Sequence, residues 1–372
     1  MRVTVKGPVY DASGYAELTR QVAVHLEEQG VEVALRAVPW GYAGVELDPP
    51  LRRRLECMGG RPEDPRGPVI YVSVANFFER VPGRPCIGYT MLEVDRIPPL
   101  WVERCNDLDE VWVPSSFNLG TFRASGVAPE RLQLMPVGVD TRRFHPGLAP
   151  VPLPGRASFN FLSSFEWVPR KGYDLLLAAY AGEFRREEDV CLFIKAYSNG
   201  PDFDPRGEKI RREMERLLEP FPRPPRVVLL PGMVSVARIG SVYTAVDCYV
   251  SASRGEGWNL PAAEAMACAR PCILPAWSAP GDFVDAANGY PVAVAGLERV
   301  PPCDHPNDQI YAGSRWARPD PETLKAAMRW VFTHPAQVRE TGRRAAADMA
   351  RLDWRKVAPR MVGRLKVVAG DA

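Results

Sequence analysis

The sequence predicts an α/β protein of two domains, each a parallel sheet with helices on both faces. Short apolar stretches alternate with helical patterns along nearly the whole chain, which is typical of β-α-β units. The length of 372 residues is more than one hydrophobic core usually organises. Residues 144–155, rich in Pro and Gly, interrupt the alternation and are the predicted linker.

In the first half, the predicted strands are apolar stretches bounded by turn or helix signals. They comprise residues 3–6, 31–37, 69–74, 86–91, 110–113 and 132–137. A helix is expected from about 15 to 29, since Gly30 suits a C-terminal cap. Further helices are expected at 98–107 and after Ser115 or Ser116, and residues 39–68 are expected to form a long excursion with one short helix.

In the second half, the predicted strands are residues 158–164, 190–196, 227–230, 247–250 and 272–274. Helices are expected to begin near 173, 205, 235 and 260, followed by helices at 321–333, 335–350 and 354–368. The expected domains are therefore residues 1–146 and 155–352. Residues 353–372 are expected to cross back to the first domain as the C-terminal helix.

Composition excludes several classes of protein. The net charge of +2 gives no reason to expect a nucleic-acid partner. Residues 1–6 alternate as a strand rather than as a signal peptide, and no apolar stretch is long enough to span a membrane, so a cytoplasmic location is expected. The eight cysteines contain no C-x-x-C pair, which argues against structural zinc.

The most informative stretch is S-A-S-R-G-E-G-W-N-L-P-A-A-E-A-M-A, residues 251–267. It follows a predicted strand, and Pro261 fits the first turn of the next helix. Free amides near Asn259 and Leu260 would suit a phosphate. Glu256 and Glu264 would repel phosphate alone, but carboxylates accept hydrogen bonds from sugar and ribose hydroxyls. The pattern favours a sugar nucleotide, although a surface helix residue and a capping residue are a simpler interpretation of the two glutamates.

The same stretch resembles the E-x7-E motif of the retaining glycosyltransferases of family four, also called group 1, which have the GT-B fold of two Rossmann-like domains facing a cleft. Other segments resemble that family in the same order: V-G-V-D-T-R-R-F-H-P (137–146) its hinge, F-E-W-V-P-R-K-G-Y-D-L-L-L (165–177) its donor-diphosphate segment, and W-A-R-P-D (316–320) a late loop. The resemblance covers about residues 7 to 365.

The resemblance implies a role for each matching residue. Glu256 would contact the donor sugar hydroxyls near the anomeric carbon, and Glu264 would bind the ribose hydroxyls. Lys171 would pair with the donor diphosphate and stabilise charge on the leaving group. The remaining predicted donor-binding residues of this domain are Arg170, Lys195, Gly257, Trp258, Asn259 and Leu260.

Lys195 ends a predicted apolar strand, and a lysine is costly to bury there without a partner. Many members of the family carry an arginine where this chain has Phe165 or a neighbour, and that arginine shares the diphosphate with the lysine. Either Lys195 substitutes for the arginine, or fewer charges suffice.

In the first domain, Gly14 lies at the start of a helix, and the resemblance implies that it contacts the donor diphosphate, with Tyr15 on the acceptor side. A structural turn explains Gly14 equally well. Glu93, which follows a predicted strand, would bind the acceptor or assist removal of its proton. A capping or surface carboxylate is the alternative for Glu93.

The predicted activity is transfer of a hexose-like sugar from a nucleoside diphosphate to an acceptor hydroxyl, with retention of anomeric configuration. The acceptor is a carbohydrate, a lipid-linked sugar or another alcohol, and a lipid-linked acceptor would require contact with a membrane surface. No cofactor and no essential metal are expected, because the D-x-D spacing of Asp202 and Asp204 lies in a proline-rich turn. The alternatives are a sugar-nucleotide epimerase or hydrolase, and a noncatalytic sugar-nucleotide-binding subunit.

Overall fold

The computed structural model describes residues 1–41, 43–198, 204–302 and 308–370. The chain divides into two compact units, which are described separately. The first contains Met1–Gly138, Arg299–Trp316 and Leu352–Ala372, and the second contains Val139–Glu298 and Ala317–Arg351. The bounds of these units differ from those of the predicted domains, since residues 139–146 group with the second unit, and residues 299–316 and Leu352 group with the first.

The strands are numbered in chain order: β1 (Arg2–Gly7), β2 (Glu32–Ala37), β3 (Val69–Val72), β4 (Cys86–Tyr89), β5 (Glu110–Val113), β6 (Leu132–Leu134), β7 (Phe159–Glu166), β8 (Val190–Tyr197), β9 (Arg226–Pro231), β10 (Cys248–Val250), β11 (Cys272–Pro275), β12 (Tyr290–Val292), β13 (Val294–Arg299) and β14 (Arg315–Pro319).

The helices are α1 (Gly14–Glu28), α2 (Pro49–Gly59), α3 (Pro99–Asn106), α4 (Ser116–Ser125), α5 (Tyr173–Glu183), α6 (Glu208–Leu218), α7 (Ile239–Thr244), α8 (Leu260–Ala267), α9 (Asp308–Tyr311), α10 (Pro321–Thr333), α11 (Pro335–Met349) and α12 (Trp354–Ala369). None of the helices in the described ranges combines the length and the apolar character that crossing a lipid bilayer requires.

The first unit contains a six-stranded sheet in the order β2-β1-β3-β4-β5-β6. All of its strand pairs are parallel, as the β-α-β pattern predicts. The C-terminal helix α12 belongs to this unit, where Trp354 stacks on His25 of α1 with ring centroids 5.4 Å apart. The ring of Trp354 also covers Gly138, where a Cβ would lie 2.5 Å from an indole carbon.

The second unit contains a six-stranded sheet in the order β12-β11-β10-β7-β8-β9, again parallel throughout. The predicted α/β class with two parallel sheets is therefore confirmed. The apolar faces of β7 and β8 pack against α5, α6 and α10 in one continuous core. This packing leaves the loops after β7, β8 and β10 together at the carboxyl edge of the sheet, where α/β proteins bind ligands.

Two features of the second half are not predicted from the sequence. The edge strand β12 is three residues long and contains Pro291, which an edge strand tolerates because it needs no ladder hydrogen bond on its outer side. Residues 316–320, predicted to be a loop, instead fall largely within β14, which pairs with β13 in a separate two-stranded sheet.

Candidate functional site

The candidate site of the second unit is built from two loops that follow neighbouring parallel strands, β7 and β10. The loops are locked to each other, because the amide of Arg254 donates to the carbonyl of Arg170 at 2.8 Å. Gly172 has a φ of +65°, and a Cβ on it would lie 1.9 Å from the carbonyl oxygen of Ala252. Only glycine permits both this backbone conformation and this approach. The approach sets the position of Lys171 relative to residues 252–256.

Lys171 and Glu256 form a bidentate ion pair at this junction. The Lys171 ammonium donates to both carboxylate oxygens of Glu256, at 2.9 and 2.7 Å. Burial would raise the pKa of the Glu256 carboxyl, but the charges of Lys171 and Arg170 and the donated hydrogen bonds hold that pKa below its usual value. Glu256 is therefore a carboxylate at neutral pH. Its main chain is also fixed, since its amide donates to Ser278 Oγ at 3.0 Å.

The two arginines of the junction have different surroundings. Arg170 turns toward the same carboxylate as Lys171, with Nη1 3.5 Å from Glu256 Oε2 and 2.7 Å from the carbonyl of Gly255. Arg254 is held by Asp174 at 2.7 Å and by Glu298 at 3.1 Å. The guanidinium of Arg254 therefore fastens the loops together, while Arg170 adds positive charge beside Glu256.

The loop between Glu256 and α8 presents unpartnered amides. Asn259 adopts the left-handed conformation at φ +79° and accepts from the amide of Ala262 at 3.3 Å, so its side chain caps α8. In the described ranges, no main-chain N–H of residues 257–260 donates a hydrogen bond. These predicted residues, Gly257, Trp258, Asn259 and Leu260, thus form a row of amides at a helix N-terminus, an arrangement that suits an anion or hydroxyl oxygens.

Trp258 is itself part of the interior. Its side chain is buried, and its ring lies 5.0 Å from that of Phe283. The indole nitrogen has no hydrogen-bond partner within the described part of the chain. The amide of Trp258, rather than the face of its ring, is the group that belongs to the row described above.

Glu264 and Lys195 are the remaining predicted donor-binding residues of the second unit. Glu264, one turn into α8, accepts a hydrogen bond of 2.7 Å from the hydroxyl of Tyr243 on α7. Lys195 is 5% exposed, and its ammonium lies 5.3 Å from the centroid of the Tyr197 ring. Among the residues that the structure describes, no hydrogen bond or ion pair to this ammonium is found. Burial lowers the pKa of Lys195 to about 8, and the charge of Glu264 offsets part of this effect. A buried cation without a paired anion is costly unless a ligand supplies one.

Phe165, at or near the place where the resemblance implies a phosphate-binding arginine, is part of the interior. Its side chain is buried in the core and stacks on Trp167 at 5.8 Å, and Trp167 stacks on Tyr173 at 4.0 Å. Glu213 accepts from both Trp167 Nε1, at 2.7 Å, and the Tyr173 hydroxyl, at 3.0 Å. An aromatic stack thus lies at this place, and the role of Lys195 as a second phosphate contact stays a prediction.

In the first unit, the hydroxyl of Tyr15 is used by the fold. It lies 3.1 Å from Thr90 Oγ1, donates to the carbonyl of Met91 at 3.1 Å and accepts from the Met91 amide at 3.2 Å. Burial raises the pKa of the Tyr15 phenol far above its usual value. Contact of Tyr15 with a ligand would therefore involve the ring and not the hydroxyl. Gly14 is exposed at the first position of α1, which Ser13 caps.

Glu93 lies in the loop after β4 and accepts a hydrogen bond of 3.2 Å from the hydroxyl of Tyr311. Nearby, the amide of Asp95 donates to the carbonyl of Arg315. The amide of Arg315 donates in turn to the Asp95 carboxylate at 2.7 Å. Tyr311 and Arg315 therefore fix the loop that carries Glu93. This placement depends on contacts about 220 positions apart and has no local signal in the sequence.

Other residues near these sites are also not indicated by the sequence. Tyr243 and Ser278 bind the two glutamates of the second unit. In the first unit, Trp40 lies 5.5 Å from the ring of Tyr15 and 5.7 Å from that of Phe77, which is 59% exposed. These aromatic rings follow β1, β2 and β3, at the carboxyl edge of the first sheet.

The prediction that the protein needs no metal is not tested by the structure. Asp202 of the D-x-D spacing lies outside the described residues. Within the described ranges, no group of three or more His, Cys, Asp or Glu side chains is arranged to hold a metal ion.

Known proteins resemble this chain in sequence and in structure. Residues 156–299 match the family model described as "Glycosyl transferases group 1". A D-inositol 3-phosphate glycosyltransferase from Segniliparus rotundus is 29% identical over 238 residues, 62% of this chain and 45% of that relative. The chain therefore spans less than half of the length of this curated relative.

Two solved structures share the fold at low sequence identity. Sucrose-phosphate synthase from Thermosynechococcus elongatus has a TM-score of 0.71 at 17% identity, with 100% of both chains covered. HepE from Anabaena, in complex with UDP and glucose, has a TM-score of 0.69 at 14% identity, with 99% of this chain and 100% of that chain covered. Residues 156–299 are thus similar to the group 1 glycosyltransferases, and the two parallel sheets give the chain the GT-B fold.

Proposed function

We propose that this protein transfers a hexose-like sugar from a nucleoside diphosphate to an acceptor hydroxyl, with retention of anomeric configuration. The donor is placed in the second unit, at the loops after β7 and β10. The observation that carries the proposal is the Lys171–Glu256 ion pair, at 2.9 and 2.7 Å, next to the unpartnered amides of residues 257–260. A solved structure with this fold, HepE, was determined with UDP and glucose.

The charges in the site fit the parts of a sugar nucleotide. Lys171 and Arg170 would stabilise the negative charge that develops on the departing diphosphate. The free amides would donate hydrogen bonds to its oxygens. Glu256, kept ionised by these cations, would accept hydrogen bonds from donor sugar hydroxyls. Glu264 would accept from the ribose hydroxyls. Such a site stabilises the leaving group with fixed charges, and the departing diphosphate would take the acceptor proton on the same face.

For the acceptor, the proposal places Glu93 and the ring of Tyr15 at the carboxyl edge of the first sheet. Glu93 would accept a hydrogen bond from the reacting hydroxyl or from a neighbouring one. The exposed ring of Phe77 and the ring of Trp40 extend this surface. Aromatic faces beside a carboxylate suit a sugar ring, which has an apolar face and hydroxyl edges. The cytoplasmic location and membrane contact stay predictions.

The proposal is tested by binding and turnover of candidate donors. UDP, GDP and ADP and their glucose and mannose conjugates would be added to the wild-type protein, with and without EDTA, and its unfolding temperature followed. One nucleotide is expected to raise that temperature regardless of EDTA, because a ligand stabilises the folded state that binds it. Glu264→Ala should abolish the shift.

Turnover separates the proposed activity from its alternatives. A transferase consumes the selected donor rapidly only when an acceptor sugar is present, and the anomeric configuration of its product is read by proton NMR. Consumption at the same rate without acceptor would indicate a hydrolase, and interconversion of the sugar an epimerase. A shift in unfolding temperature without any turnover would indicate a noncatalytic subunit, and no shift with any nucleotide would contradict the proposal.

A pH prediction follows from Lys195 as a second phosphate contact. Because the pKa of Lys195 is lowered to about 8, the free protein loses this charge as pH rises through about 8. An ordinary lysine loses its charge only at a higher pH. Affinity for the nucleoside diphosphate should therefore be highest below that pH and fall about tenfold above it, measured by calorimetric titration at pH 6.5 to 9.5.

Two variants isolate this effect. Lys195→Met should bind about tenfold more weakly at pH 6.5 and show no step near pH 8. Lys195→Arg keeps the charge at every pH in that range, so its affinity should remain flat. An unchanged step in Lys195→Met would assign it to another group.

A further inference from the structure

Tyr243 differs from the other fully buried tyrosines in what its hydroxyl binds. Tyr89, Tyr180 and Tyr249 each donate to a main-chain carbonyl, of Met135, Arg226 and Ser164 respectively. Tyr243 instead donates to a side-chain carboxylate, that of Glu264, at 2.7 Å. Glu264 is partly exposed, whereas Tyr243 is 1% exposed. The hydrogen bond thus connects a group in the interior to one that reaches the edge of the site.

The ring of Tyr243 has a fixed position. It packs edge-on against Phe144 at 6.1 Å and against Tyr249 at 6.5 Å, on the helix α7 that packs on α8. Burial and the nearby Glu264 charge raise the pKa of this phenol well above its usual value, so it remains a donor at all working pH values. A fixed donor to one oxygen favours one orientation of the carboxylate plane.

We infer that Tyr243 is a positioning residue, which orients Glu264 to accept hydrogen bonds from the ribose hydroxyls of the donor and so makes the site selective for ribonucleotides over deoxyribonucleotides. This inference rests on the proposed function, since it assumes that Glu264 faces the ribose. A carboxylate held in one orientation matches a pair of neighbouring hydroxyls at one geometry. A site that hydrogen-bonds a hydroxyl rejects the analogue without it, because its polar group is left unpaired.

The carboxylate of Glu264 also has a cation nearby, besides the hydroxyl of Tyr243. Lys195 on β8 is close enough to Glu264 for the carboxylate to favour the protonated lysine. Glu264 thus lies between a neutral donor from α7 and a cation from β8. With the diphosphate near the cation, the ribose of the same molecule would reach the carboxylate, because ribose and diphosphate are directly linked.

The test compares affinities for matched ribo- and deoxyribonucleotides. The wild-type protein, Tyr243→Phe and Tyr180→Phe would be titrated with UDP, GDP and ADP and with their 2′-deoxy forms. Tyr180→Phe is the matched control, since it removes the same hydroxyl from an equally buried ring of the same unit, where the partner is a carbonyl of Arg226 at 3.1 Å. The wild type is expected to prefer the ribo form at least about tenfold.

Tyr243→Phe should reduce that preference to within about threefold of unity, and Tyr180→Phe should retain it. Glu264→Gln should lower the preference to the same degree, and the double variant Tyr243→Phe with Glu264→Gln should lower it no further, since the two residues act as one unit. If Tyr243→Phe folds poorly, Glu264→Gln, which leaves Tyr243 in place, still measures the contribution of this hydrogen-bonded pair. Retention of the wild-type preference in Tyr243→Phe would overturn the inference alone, while a wild-type protein that binds no nucleotide would overturn the proposed function with it.

Discussion

Lys171→Met is expected to lower kcat by about 10² to 10³ at saturating donor, because the group that would stabilise the leaving diphosphate is lost. The same change should reduce stability by about 3 kcal/mol at pH 7, since it removes the closer cation from the buried Glu256 and leaves only Arg170, at 3.5 Å. In the folded protein, Lys171 lies 2.7 Å from that carboxylate, whose side chain is only 8% exposed. Steady-state kinetics and urea unfolding measure the two effects separately.

A second substitution distinguishes catalysis from folding. Lys171→Met combined with Glu256→Gln also removes the buried carboxylate charge, so most of the lost stability should return while kcat remains low. Recovery of activity together with stability would mean that the pair serves the fold alone. Lys325→Met is the control, because Lys325 pairs with Glu322 on an exposed helix face at 2.8 Å, and its loss should cost less than about 0.5 kcal/mol.

The pH dependence of the stability that this ion pair contributes follows from the lowered pKa of Glu256. The ion pair contributes stability at pH values above the usual carboxyl range, and this contribution is lost as pH falls through the lowered pKa of the folded state. In Lys171→Met, burial without the cation raises the pKa of Glu256, so the carboxyl becomes protonated at a higher pH. The difference in stability between wild type and variant should therefore shrink as the solution is acidified.

The parallel sheets were predictable because most of their strands are short apolar stretches, and most of these stretches are separated by helix signals. β12 fails this rule, since Pro291 and only three residues make a weak strand pattern. β13 and β14 lack an apolar run, and their pairing is set by contacts outside the two main sheets. Local propensity thus predicts the elements that the core requires and misses those that tertiary contacts support.

The candidate site divides in a similar way. Glu256 and Glu264 were found because they share one loop and one helix, so their spacing is a local property of the sequence. Tyr243 is 21 positions from Glu264, and its hydrogen bond exists only because α7 packs on α8. In the sequence, Tyr243 resembles any other apolar-face residue of a helix. Trp40 falls in a stretch without periodicity, so its contact with Tyr15 has no signal at all.

Gly172→Ala is expected to destabilise the second unit by about 3 to 5 kcal/mol and to weaken donor binding more than tenfold. At φ +65° a side chain is strained, and here its Cβ would lie 1.9 Å from the carbonyl of Ala252, so one of the two loops must move. That movement separates Lys171 from Glu256, because Lys171 directly precedes the glycine. Urea unfolding and calorimetric titration of the nucleotide measure the two losses.

Gly155→Ala is the matched control for backbone strain. Its φ is +71°, in the same unit, but the nearest atom to its Cβ would be a Val228 methyl at 3.4 Å, an ordinary contact. It should lose about 1 kcal/mol and keep its affinity. Equal losses of affinity in the two variants would show that strain, and not the closeness of the loops, limits donor binding. A loss of affinity confined to Gly172→Ala would mean that the close approach of the two loops sets the geometry of the Lys171–Glu256 pair. The lack of a side chain at Gly172 would then be a requirement for donor binding.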